Sequence, residues 1–140
     1  DMFPNSKLKY KNPPMSKDTV CFEMFINWNE PIVLCEGVFD AISIRRNVIP
    51  LLGKFPSKTL VKRLVEKKVK KIYVALDEDA KKDAVKLSKF LMDYGIETYL
   101  LNLNKKDPSE LGFTNFWNIL KTSKQTKFSD LIKERLYGQT

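Results

Sequence analysis

The strongest constraint in this sequence is the regular alternation, from Pro31 to Leu103, of short continuous apolar runs with amphipathic segments. Pro31 to Glu36 is a short continuous apolar run, the signature of a strand buried on both faces, and Val48 to Leu52, Lys71 to Leu76 and Glu97 to Leu103 read as the second, third and fourth strands. The stretches between them have helical period. Val38 to Arg46 is expected to turn Ala41 and Ile42 inward. Ser57 reads as the cap of a helix running through Lys67, with Leu60, Val61, Leu64 and Val65 as its apolar stripe. Ala80 to Tyr94 places Ala80, Ala84, Leu87 and Leu91 on one side and Lys81, Lys82, Lys86 and Lys89 largely on the others, and Gly95 is its stop signal. Strands joined by crossover helices imply an α/β fold: a Rossmann-like parallel sheet of about four strands, order 2-1-3-4, with helices on both faces.

The flanks read differently. Residues 1–19 are proline-rich and aperiodic, an extended arm, and Thr19 to Asn27 is expected to form a strand. Phe113 to Leu120 is an aromatic-rich helix, and Ser129 to Leu136 a second one with Leu131, Ile132 and Leu136 as its apolar positions. This divides the chain into an arm and strand (1–30), a central domain (31–112) and a helical tail (113–140). The chain opens at Asp1 in mid-pattern, so a domain excised from a longer protein is expected.

Composition narrows the chemistry. The chain has no histidine and two cysteines, Cys21 and Cys35, which removes a self-contained zinc site and the nucleophile systems that rely on imidazole. Both cysteines lie in apolar runs and read as buried thiols in a reducing, cytoplasmic compartment. No apolar run approaches the ~20 residues that span a bilayer. The net charge of +8 favours a polyanionic partner, nucleic acid above all, although a lysine-rich composition alone also produces it.

What remains is carboxylate chemistry. In an open parallel sheet, ligands bind beyond the carboxyl ends of the strands, where strand order reverses. The first and third strands flank that point. One ends in Glu36 and the other runs into Leu76-Asp77-Glu78-Asp79. Residues i and i+2 of extended chain share a side, so Asp77 and Asp79 are expected to face one cavity with Glu78 turned away. Asp40 returns to that edge one helical turn after Glu36, and Gly37 is expected to permit the bend because it lacks a Cβ. Asp107 follows the fourth strand at the same end. Converging carboxylates repel unless a proton or cation separates them, and a hard divalent ion suits oxygen ligands. Glu36 has an alternative role as a general base, and Asp79 an alternative role as the cap of the helix that follows it.

"CEGVFD" together with "ALDED" resembles the Toprim domain shared by DNA primases, topoisomerases and some nucleases, which places a Glu after its first strand and a DxD after its third. Two further segments resemble primases of the bacterial and phage type: "NVIPLLGKFPSK", where a strand ends in LG, and "KKDPSELG", similar to their signature after the fourth strand. The arm "KLKYKNPP" is similar to the segment that precedes Toprim in the primase core. One departure is that Lys81 and Lys82 stand where the family often has small residues after the DxD. The resemblance implies template-directed synthesis of short RNA primers for DNA replication. Glu36 would be the base and Asp77 and Asp79 the Mg²⁺ ligands (Mn²⁺ substituting), with Asp40 and Asp107 supporting them. Lys7, Lys9, Lys11, Lys54 and Lys106 would contact nucleic acid or nucleotide. The implied partners are a single-stranded DNA template, ribonucleoside triphosphates and a replicative helicase, with no membrane. A phage origin is expected from the compact, lysine-rich style. A Toprim nuclease, a non-catalytic nucleic-acid-binding Toprim and a signalling receiver domain are the rivals. The receiver lacks support because no convincing fifth parallel strand follows Leu103.

Overall fold

The structure, a computed structural model, describes residues 20–53, 55–103, 106–127 and 129. Four strands, β1 (Ile32–Cys35), β2 (Val48–Pro50), β3 (Lys71–Ala75) and β4 (Glu97–Leu100), alternate with α1 (Val38–Ile44), α2 (Lys58–Glu66) and α3 (Lys81–Asp93), and α4 (Pro108–Thr122) follows. The sheet is wholly parallel in the order β2-β1-β3-β4, as the alternation of apolar runs implies. β1 is central, and all four of its residues are buried.

The two faces of β1 feed two cores. Ile32 and Leu34 pack with Leu60 and Leu64 of α2 and Leu87 and Leu91 of α3. Val33 and Cys35 pack with Ala41 and Ile44 of α1 and Phe116 and Leu120 of α4. Period-two alternation along one strand thus divides the helices into two layers. Burial of each such aliphatic side chain stabilises the fold by about 1.5–3 kcal/mol.

The helix ends follow local chemistry. The Ser57 hydroxyl accepts from Leu60 N–H at 3.1 Å and caps α2. Gly95, at φ +78°, closes α3, with its N–H donating to the Met92 carbonyl and that of Ile96 to Leu91. α4 bends at Gly112, whose φ of +79° and ψ of 169° lie outside helical values. The bend separates the turn at Pro108–Leu111 from the aromatic stretch that packs on α1.

Three expectations are corrected. The described part of the segment over Thr19 to Asn27 is not a strand: it holds a short 3-10 helix, Glu23–Phe25, entered through Phe22 at φ +62°. Its extended path is broken there. Its far end is held by Asn47, whose side chain accepts from Asn27 N–H at 2.7 Å and donates to the carbonyls of Asn27 and Pro31 at 2.9 and 2.8 Å. Ile42 faces solvent, because the inward positions of the short α1 are Ala41 and Ile44. Gly37 is extended, at φ −129° and ψ 172°, a conformation open to any residue, so the bend into α1 does not depend on its missing Cβ. The arm of residues 1–19 and the amphipathic segment over Ser129 to Leu136 lie outside the described residues, apart from Ser129 itself.

Candidate metal centre

Parallel register decides where the acids meet. Cys35 of β1 pairs with Ala75 of β3, so the chain immediately beyond both strands emerges at one edge. That edge is the crevice at the point where strand order reverses. The Glu36 carbonyl accepts from Leu52 N–H at 3.0 Å, continuing the β2 pairing past the strand end and fixing the Glu36 backbone. Leu52 makes this contact from a left-handed φ of +59°, the kind of local strain that gathers at functional rims. On the other side Ala80 N–H donates to the Asp77 carbonyl at 2.9 Å, closing a 3-10 turn (Glu78–Ala80) that carries Asp79 back over Asp77.

The result is a group of three carboxylates. One oxygen from each of Glu36, Asp77 and Asp79 lies within 4.8 Å of the other two. Asp79 is exposed, and Glu36 and Asp77 are partly buried. Asp79 does not cap α3: the capping position is Ala80 and no side chain fills that role. Oδ1 of Asp77 is sealed from solvent and has no hydrogen-bond partner among the described residues. Burial, followed by the charges of Glu36, Asp40, Asp107 and Asp79, pushes the Asp77 carboxyl up to about 6. An acid that is crowded, desolvated and short of a donor fits a cation with oxygen preference.

Asp40 and Asp107 stand beside this group, outside the trio. Asp40 is buried at the start of α1 and accepts from the Ser109 hydroxyl at 3.0 Å. Burial nevertheless keeps its carboxyl above the ordinary range. Asp107 caps α4: its Oδ1 accepts from Glu110 N–H at 2.8 Å, while Glu110 Oε1 accepts from Asp107 N–H at 3.1 Å. The D-P-S-E run spells this capping box, with proline at the first helical position. Ser109, which ties α4 to α1 at the rim, carries no local signal of its role. Lys106 is exposed just before α4. Lys7, Lys9, Lys11 and Lys54 lie outside the described residues. Cys35, next to Glu36, is fully buried and its thiol is pushed far up by burial, which makes it a packing residue. Cys21 is likewise a buried free thiol. No helix among the described residues is long and apolar enough to cross a membrane.

An α/β sheet with acids from β1 and β3 meeting at its reversal point defines a class. The family model described as Toprim-like matches residues 33–111, more than half of the chain, and the chain belongs to that family. Among solved structures, the zinc-binding and RNA polymerase domains of the Aquifex aeolicus primase superpose with a TM-score of 0.61 at 27% identity, over 75% of this chain and 28% of that one. An uncharacterised protein of Mycoplasma genitalium, MG010, is 30% identical over 131 residues, covering 81% of this chain and 60% of its own length. The chain therefore spans about three-fifths of that relative and under a third of the primase structure.

Proposed function

We propose that this chain is the catalytic Toprim part of a DNA primase, which joins ribonucleotides on a single-stranded DNA template in a Mg²⁺-dependent reaction. The observation that carries this reading is the sealed Oδ1 of Asp77, without a hydrogen-bond partner among the described residues, within a three-carboxylate group in a chain whose fold matches that of a primase. Asp77 and Asp79 would hold Mg²⁺, with Mn²⁺ able to substitute. The ion, when bound, supplies positive charge against the phosphates of the incoming nucleotide. Glu36 takes the proton from the primer 3′-hydroxyl, so that the oxygen attacks the α-phosphorus and pyrophosphate leaves. Asp40 and Asp107 add negative potential at Asp77 while Oδ1 of each is engaged by Ser109 and the α4 cap respectively. Lys106, with Lys7, Lys9, Lys11 and Lys54, supplies phosphate contacts, and a replicative helicase and a cytoplasmic setting complete the proposed context.

The test is primer synthesis by the protein within its full-length chain, on single-stranded DNA with ribonucleoside triphosphates and Mg²⁺. Wild type is expected to make short RNA, and Asp77→Asn and Glu36→Gln to make none while keeping the fold. Near-normal synthesis by either variant removes the assignment. Mg²⁺-dependent nicking of a plasmid without primer synthesis would make the protein a nuclease instead.

A further inference from the structure

α1 carries an outer face that the carboxylate centre does not use. Phe39 stands in its first turn, three residues after Glu36, and is 80% exposed. Ile42, one turn on, is 56% exposed. At the end of the helix Arg45 and Arg46 are exposed and lie over aromatic rings of α4. The Arg45 guanidinium is 5.0 Å from the Phe113 ring, and that of Arg46 is 5.3 Å from Phe113 and 5.9 Å from Trp117. Neither arginine makes an ion pair among the described residues. Trp117 is fixed in turn by its indole N–H, which donates to the Ile44 carbonyl at 2.8 Å.

A large aromatic ring left bare in water gains nothing for the fold. Stacked guanidinium groups keep their N–H edges free for anions, because the ring occupies only their flat face. A bare ring in the first turn of a short helix beside a cation centre, followed just past that helix by two such guanidiniums, offers a single strand one stacking surface and two phosphate donors. α1 rises about 8 Å from Phe39 to Ile44, roughly the span of one nucleotide, and Arg45, at φ +69°, turns the chain out of the helix.

We infer that the outer face of α1 and the turn after it form a track for single-stranded nucleic acid, with a base stacked on Phe39 and backbone phosphate held by Arg45 and Arg46. This rests on the primase reading in taking nucleic acid as the polyanion, and it adds where the strand runs. The competing occupant is a protein surface, from a second copy or another part of a longer chain. Two neighbouring arginines with no carboxylate partner among the described residues favour the polyanion.

The test is binding of a fluorescein-labelled single-stranded dT oligonucleotide, followed by anisotropy in EDTA across a salt series. Phe39→Ala is expected to weaken binding about fivefold or more, and Phe39→Trp to restore it. Arg45→Ala with Arg46→Ala is expected to lower the slope of log affinity against log salt by about 1.4, or about 0.7 for each phosphate contact. Phe39 is exposed, so thermal unfolding of its variants should match wild type. Unchanged affinity in Phe39→Ala and an unchanged slope in the arginine variant overturn the proposal. So does a wild type that binds no oligonucleotide, or a Phe39→Ala change confined to oligomeric state. Because the assay needs neither metal nor turnover, a wild type that makes no primer would sink the primase reading while leaving this result to stand or fall by itself.

Discussion

Replacing Asp77 by Asn is expected to stabilise the protein when no divalent cation is present. The carboxyl is raised from 3.8 to about 6, with burial the largest cause and the neighbouring carboxylates next. A carboxylate whose folded pKa is raised destabilises the folded state. The penalty is absent below the unfolded pKa, grows between about 4 and 6, and is complete above that. About two pKa units correspond to about 3 kcal/mol at neutral pH. Asp77 is only partly buried and water screens it, so about 1–2 kcal/mol is the appropriate figure. The asparagine amide has the same shape, carries no charge and can donate to a neighbouring carboxylate. In EDTA at pH 7.5 the variant should melt roughly 3–8 °C above wild type by calorimetry, given how Tm scales with stability in a domain of this size. The advantage should shrink toward pH 4.5. With millimolar Mn²⁺ the order should reverse, because wild type gains binding free energy that the variant lacks. A variant that melts below wild type in EDTA at pH 7.5 would refute the claim that repulsion and desolvation dominate this site.

Three further outcomes follow from the same geometry. Mn²⁺ affinity, measured by calorimetry, should hold steady above about pH 7 and fall as pH drops through the Asp77 value of about 6, since ligands bind the ion deprotonated; affinity constant from pH 7 to 5 would contradict it. Gly112→Ala places a Cβ at a φ of +79° and should cost about 1–2 kcal/mol in denaturant unfolding, because the bend that brings Ser109 to Asp40 requires that conformation; an unchanged midpoint would argue against it. Asn47→Ala removes side-chain hydrogen bonds to the exposed backbone of Asn27 and Pro31, which water can replace, and should cost about 0.5–1.5 kcal/mol while leaving Mn²⁺ affinity alone, because Asn47 sits at the amino end of β2, away from the carboxylates; a loss of Mn²⁺ affinity would contradict that separation.

The sheet was legible because its signal is local. Ile32 to Cys35 and Ile72 to Ala75 are continuous apolar runs whose natural place is inside a covered parallel sheet. Once the order 2-1-3-4 is drawn, Glu36, Asp77 and Asp79 must emerge at one edge, so most of the centre was legible too. What escaped depends on contacts far apart in sequence. Phe22 to Phe25 alternates well enough to resemble a strand, but both neighbours of β1 are already taken by β2 and β3, and Asn47 fastens the segment from a distance of twenty residues. Ser109 reaches Asp40 across 69 residues, which no spacing rule anticipates. Asp107 is the opposite case: its capping box is written locally in D-P-S-E, and the resemblance to a metal-site aspartate overshadows it.

The most direct measurement is a crystal of the protein soaked in MnCl₂ and recorded at the manganese absorption edge. An anomalous peak within about 2.5 Å of carboxylate oxygens of both Asp77 and Asp79, with Glu36 facing it, is the predicted result. A peak elsewhere, or none at saturating Mn²⁺ with these side chains ordered, would contradict the account.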